Sequence, residues 1–359
     1  MERDTIVIFL DSSQLGGIES HVYHLAKALK KSGRHTEIWF YKKHSDSHPL
    51  EPRFNDEHIE YRYLNGTLID LWSALKKKSP ILLHTHGYKA GVLGRMIAKV
   101  QGIPAVSTFH NGDPGAGIVR LYTWLDRITS PLSVNIAVSE EIAHRFGNKP
   151  VQINNFIDLP KQQNKTNHSI SFVGRLSHEK GPDQFLQLAK HIPDMDFRIY
   201  GTGPMEKDLI KQNIANVQFM GQMSGMNDQW HTIDLLCITS RHEGLPMVAL
   251  EAMAHGVPVI SFAMGALPEL IQQGINGWIA PAGNIKGISS FVRLWQALPE
   301  TVKNQIRQSC IQTISKSYSY EAVLPLILDI YGIACQQAGV SWSGKQQKVT
   351  HNKITLSGD

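Results

Sequence analysis

The chain has 359 residues, which suits two domains of ordinary size better than one. Hydrophobic residues make up 42% and charged residues 19%, a globular composition that excludes a disordered protein. The formal charge of +5 permits anionic partners, phosphates or anionic lipid, without selecting one.

The run Thr5–Leu10 predicts a buried strand. It is too short for a signal-peptide core, and no stretch approaches the ~20 apolar residues of a membrane span. Gly16 and Gly17 follow, then Val22, Leu25, Ala26 and Leu29 at helical spacing. Strands are expected at 35–41, 81–86, 105–110 and 134–139. Segment 114–133 mixes Leu121, Trp124 and Ile128 with Arg120 and Arg127. It reads as an amphipathic helix, packed on its own domain or laid in a membrane interface. The polar stretch 159–169 reads as a linker. The alternation then restarts, with strands at 169–174, 197–201, 217–221, 234–240 and 257–261. Helices are expected at about 182–191, 246–255 and 320–337. Residues 338–359, rich in Lys, Gln, Ser and Gly, read as a disordered tail. Cys237, Cys310 and Cys335 are too far apart for a Cys-x-x-Cys zinc site, and their number builds no disulfide framework. A reducing, cytoplasmic setting is expected.

Alternating strands and helices imply an α/β fold with parallel sheets. The two halves, 1–158 and 170–319, read as Rossmann-like domains facing a cleft. Ligands in such folds bind at the carboxyl ends of strands. Gly16 and Gly17 stand there in the first half and let backbone N–H groups approach a phosphate. Arg175 and Lys180, in Gly174–Gly181, put two cations after a strand, as a diphosphate requires. Glu243 and Glu251 lie eight residues apart. On a helix that is roughly 12 Å of rise. This separation suits gripping two ends of an extended ligand better than sharing one reacting bond. Gly203 and Met223 follow strands, where a turn can offer backbone to a flat ring or a phosphate. His84, His86 and His110 end strands; a zinc site on His84 and His86 lacks an evident third ligand. Asp194-Met195-Asp196 precedes a strand and reads as a turn. The dinucleotide fingerprint Gly-x-Gly-x-x-Gly does not follow the first strand, which argues against a nicotinamide dehydrogenase.

Taken with their context, EGLPMVALEAMAHGVPVI at 243–260 and FVGRLSHEKG at 172–181, these residues resemble the retaining GT-B glycosyltransferases of family 4 type, which make bacterial surface polysaccharides and glycolipids. The resemblance runs from Gly16 to about Tyr331. It implies that Arg175 and Lys180 hold the donor diphosphate. Glu243 would contact the donor sugar, helped by backbone N–H groups at Gly244 and Leu245, and Glu251 the ribose. Gly16 and Gly17 would approach the phosphate, and His110 would lie near the transferred sugar. The last helix, 320–337, would cross back to the first domain. No metal or other cofactor is expected. The expected partners are a nucleotide sugar, with UDP the commonest nucleotide in the family, and a saccharide or lipid-linked acceptor. Contact with anionic membrane is possible in this reading, and nucleic acid is not a partner. A non-catalytic nucleotide-sugar-binding or assembly subunit and a sugar-nucleotide epimerase are the alternatives. One departure is Asn155, where the family more often has glycine after an asparagine.

Overall fold

The computed structural model describes residues 4–110, 118–146, 150–161, 169–223 and 225–342. The first half runs β1 (Ile6–Leu10), α1 (Gly17–Lys31), β2 (Thr36–Phe40), α2 (Glu51–Asp56), β3 (Glu60–Tyr63), α3 (Leu68–Lys78) and β4 (Leu82–His86). It continues with α4 (Tyr88–Gln101), β5 (Ala105–Phe109), α5 (Ile118–Thr129), β6 (Val134–Ala137), α6 (Glu140–Ala143) and β7 (Val151–Gln152). These strands form one parallel sheet in the order β3-β2-β1-β4-β5-β6-β7. β1, β4 and β5 are buried at every position. That fits strands covered by helices on both faces; β1 is apolar throughout, while β4 and β5 bury His, Thr and Ser as well.

The second half runs β8 (Ser169–Val173), α7 (Pro182–His191), β9 (Phe197–Tyr200), α8 (Glu206–Ile210), β10 (Val217–Gly221), β11 (Ile233–Ile238) and α9 (Met247–Ala254). It ends with β12 (Val259–Phe262), α10 (Leu267–Leu270), β13 (Gly277–Ala280), α11 (Ile285–Ala297), α12 (Glu300–Ser317) and α13 (Tyr320–Gln337). Its sheet is parallel in the order β10-β9-β8-β11-β12-β13. Each sheet therefore reverses direction beside its first strand, between β1 and β4 and between β8 and β11. In open α/β sheets a crevice forms at this switch point.

The chain returns to the first domain at its end. Ile157 bridges to Ser319, and the Ile157 N–H donates to the Tyr318 carbonyl. The Ser319 hydroxyl then accepts from the Ala322 N–H and starts α13. Val323, Leu324, Ile327 and Ile330 of α13 enter the same core as β1 and α1. Burying four such side chains contributes about 6–12 kcal/mol gross. Tyr331 is also fully buried, and its hydroxyl meets His84 Nδ1 at 2.7 Å. α13 is thus an integral part of the first domain's core.

Three expectations change. Ser169 belongs to strand β8, and residues 162–168 of the expected linker lie outside the described residues. The tail does not begin at 338: Trp342 packs edge-on against Tyr331 and lies under the Arg34 guanidinium. One aromatic ring outweighs the polar composition around it. The rest of that tail, from 343, lies outside the described residues, as do residues 114–117 of the amphipathic segment. The third change concerns β3, a short edge strand of Glu, Tyr and Arg that apolar patterning does not reveal. Arg62 on it covers the Trp39 ring at 3.6 Å.

Candidate active site

The Arg175 loop leaves β8 at the switch point. Pro182 opens α7, and Gly181 is held because a Cβ there would meet the Thr239 carbonyl at 2.1 Å. This fixes Lys180 against the loop that follows β11. Lys180 Nζ lies 2.8 Å from both carboxylate oxygens of Glu243, and the Ser240 hydroxyl donates to Glu243 at 2.6 Å. The Glu243 side chain is only 6% exposed, whereas that of Lys180 is 33% exposed. Lys180 thus remains open to solvent while neutralising a buried carboxylate. Arg175, exposed on the same loop, adds a second positive charge.

Glu243 stands in a turn ahead of α9, so the estimate of helical rise between Glu243 and Glu251 does not apply. Pro246 is the cause. It caps the helix, and the residue before a proline is disfavoured in helical conformation. Glu251 does lie on α9. It is half-buried against α1 of the other domain, where the Ser20 hydroxyl donates to it at 2.9 Å. Burial raises its carboxyl above the usual range despite the Ser20 bond. Ser20 therefore holds the Glu251 carboxylate across the domain interface.

The two domains meet again at Gly244. A Cβ at this position would come 2.7 Å from the His110 carbonyl, so glycine is what allows the approach. The Leu245 carbonyl accepts from Asn155 at 2.7 Å, and the Gly244 carbonyl from the Ala266 N–H at 2.8 Å. Asn155, the departure from the family pattern, thus ties the chain beside the linker to the Glu243 turn.

At the start of α1, Gly16 is the N-cap and the space beside Gly17 is open. The Glu19 carboxylate folds back over the Gly16 backbone and is itself largely buried. The expected phosphate-approach glycines at Gly16 and Gly17 therefore have one of the chain's own carboxylates beside them.

Gly203 packs closely on its own domain. A Cβ there would meet the Leu176 backbone at 2.5–2.7 Å, so this glycine lets the turn pack on the Arg175 loop. Met223 packs against the α9 side of the second core. Asp194 pairs with Arg293 on the surface, and Asp194–Asp196 form a turn away from Glu243. A hollow of about 570 Å³ beside the hinge, lined by Gln152, Asn154, Lys316 and Glu321, contains none of the candidate site residues.

Sequence reading missed Ser20, Ser240, His21 and the tie made by Asn155. Ser20 and His21 lie one and two residues after Glu19 on α1, but their partners are on β4, β5 and α9. His84 is bonded to Tyr331 and, at 2.8 Å, to Thr108 Oγ1, so it supports structure and is not a zinc ligand. His86 instead meets His21 and His110, so a third histidine does exist.

Two facing Rossmann-like domains, with a basic loop and a buried carboxylate at one switch point and a glycine-led helix at the other, define a GT-B scaffold. The family model described as "Glycosyltransferase Family 4" matches residues 15–160, and that described as "Glycosyl transferases group 1" matches 155–310. An uncharacterised glycosyltransferase of Methanocaldococcus jannaschii is 24% identical, over 88% of this chain and 94% of its own. The UDP-Gal:alpha-D-GlcNAc-diphosphoundecaprenol alpha-1,3-galactosyltransferase of Escherichia coli is 25% identical, over 74% of this chain and 78% of its own. The crystal structure of Anabaena HepE in complex with UDP superposes with a TM-score of 0.78 at 17% identity, over 92% of this chain and 99% of that one. The last likeness shows the fold. The chain belongs to the GT-B glycosyltransferases of family 4 type.

Proposed function

We propose that this glycosyltransferase moves a hexose-type sugar, with retention, from a UDP-sugar to a saccharide or lipid-linked oligosaccharide in cell-surface polysaccharide synthesis. The carrying observation is the Lys180–Glu243 pair beside Arg175 at the β8/β11 switch point. A departing diphosphate gains negative charge as the glycosidic bond breaks, and fixed cations stabilise it most in the transition state. The departing phosphate takes the acceptor's proton on the same face of the sugar, which gives retention. Glu243 orients the sugar, Glu251 the ribose, and His110 lies beside the transferred group. The UDP named for HepE and the UDP-Gal named for the E. coli relative support the choice of nucleotide.

No metal is required in this reading, because Arg175 and Lys180 supply the positive charge and Asp194 and Asp196 stand elsewhere. UDP or its sugar conjugate raises the melting temperature through mass action. That shift persists in EDTA and disappears in Lys180→Ala. Loss of transfer in EDTA with recovery in Mn²⁺ would contradict metal independence. Nucleotide binding without nucleoside diphosphate release, under every acceptor condition, would point to an assembly subunit. A changed sugar nucleotide formed without acceptor would point to an epimerase.

A lipid-linked acceptor also fits the outer helices of the first domain. No helix among the described residues is long and apolar enough to cross a membrane. Exposed apolar side chains nevertheless stand on neighbouring helices: Ile69 and Trp72 on α3, Val100 on α4, Trp124 and Ile128 on α5. Lys76, Lys77, Lys99 and Arg127 are exposed on the same three helices. This face suits an anionic bilayer. Vesicles containing anionic phosphatidylglycerol should co-sediment with the protein, and 0.5 M NaCl or Trp124→Glu should release it. Equal binding to neutral phosphatidylcholine vesicles would remove the electrostatic half of this reading.

A further inference from the structure

Behind the cleft, α1, β4 and β5 bring three histidines together. His21 is 3% exposed; neither of its ring nitrogens makes a well-formed hydrogen bond among the described residues, and Asn155 is the polar side chain within reach of it. His86 ends β4 at 1% exposure, and its Nε2 is equally without a partner. His110 follows β5, where its backbone borders Gly244 of the other domain. One ligand atom from each of the three lies within 4.8 Å of the others.

The geometry is close to that of a metal site. His86 Nδ1 and His110 Nε2 are 3.0 Å apart. Zinc bonds imidazole nitrogen at about 2.0–2.1 Å, and a tetrahedral arrangement then holds the nitrogens about 3.3 Å apart. That pair is already near chelating distance, and His21 completes a three-histidine face. His86 Nδ1 and His110 Nε2 share that short contact as a hydrogen bond, which a cation would replace, and the cation would also give a His21 nitrogen the partner it lacks.

We propose that His21, His86 and His110 form an inhibitory site for a borderline transition-metal ion, zinc foremost. Imidazole donors favour zinc, nickel and copper and discriminate against the harder magnesium and manganese. Three protein ligands leave a fourth position open. Occupation holds His110 away from the transferred sugar, so metal binding and sugar transfer compete. The inhibitory part rests on the role given to His110 above; the metal site itself does not.

The test starts from EDTA-stripped, full-length protein and uses Co²⁺ as the probe, with no substrate present. Tetrahedral Co²⁺ on three imidazoles produces a visible absorption band, and stoichiometric Zn²⁺ should displace it. His21→Ala and, separately, His86→Asn each remove a direct ligand and should weaken Co²⁺ binding by more than the roughly 10–100-fold typical of losing a supporting partner. Circular dichroism identifies a variant that has not folded, and the other variant then decides. Micromolar Zn²⁺ should lower wild-type transfer at least tenfold, EDTA should restore it, and Mg²⁺ should have no effect. The absence of a band, or equal affinity in both folded variants, overturns the site and assigns the ion to surface histidines. A band with unchanged transfer in Zn²⁺ overturns the inhibition alone. If no transfer occurs under any condition, the functional reading has failed, while the band still decides the site.

Discussion

Lys180→Ala should lower kcat by about 10²–10³, the loss typical of removing one preorganised group that stabilises transition-state charge. The structure divides that effect into two parts. Lys180 Nζ bonds both oxygens of Glu243, a carboxylate that is almost wholly buried. In the proposed mechanism truncation removes a cation from the departing phosphate, and it leaves the Glu243 carboxylate held by the Ser240 hydroxyl. Loss of the first function lowers kcat at saturating donor. Loss of the second lets Glu243 drift and raises KM for the sugar. Arg175→Ala tests the first without the second, because Arg175 is exposed and outside the Glu243 bonds. It should lower kcat in the same direction with a smaller change in KM. Steady-state kinetics with nucleoside diphosphate release as the readout separates the two parameters. A folded Lys180→Ala protein with near-normal kcat would remove Lys180 from the chemistry.

Much of this site is legible locally. The strands β1, β4 and β8 are buried at nearly every position, and the apolar residues at each are enough to mark a strand in a short window. Pro182 at the first helical position signals α7 through its fixed φ and missing N–H. The same chemistry at Pro246 marks where α9 begins, and reading it as a helix stop would have placed Glu243 in a turn. Other features have no local signal. Ser20 reaches Glu251 across 231 positions, and Asn155 reaches Leu245 across 90. Such contacts exist only once two sheets have been laid against each other. The histidine cluster is similar: alternation places His84 and His86 on one face, but the packing of α1 decides that His21 joins His86, and that of α13 that Tyr331 claims His84. Gly203 shows the converse limit. A glycine turn after a strand looks the same in sequence whether a phosphate or another loop lies against it.

The largest stability effect is expected at Arg95. This guanidinium is fully buried between α4 and α5. It bonds the Asp126 carboxylate, the Asp126 carbonyl at 3.0 Å, Thr129 Oγ1 at 2.7 Å and Ser107 Oγ at 3.1 Å. One side chain thereby connects β5, α4 and α5. Breaking a buried pair by removing one partner costs about 3–5 kcal/mol, because the remaining charge is left uncompensated. Arg95→Ala should lose that amount, read as a lower urea midpoint. The pH dependence identifies the cause. Burial already raises the Asp126 carboxyl even with Arg95 beside it, and removing the cation raises it further. A carboxyl raised in the folded state binds its proton there before the unfolded chain does, so acid favours the folded form. The deficit of Arg95→Ala should be largest at pH 7 and should narrow as pH falls through the raised value. Arg95→Met with Asp126→Leu removes both charges and should recover most of the loss, since apolar replacement of a buried pair is often neutral. A deficit that is independent of pH and persists in the double variant would mean that Arg95 acts by filling space between the helices, with its charge incidental.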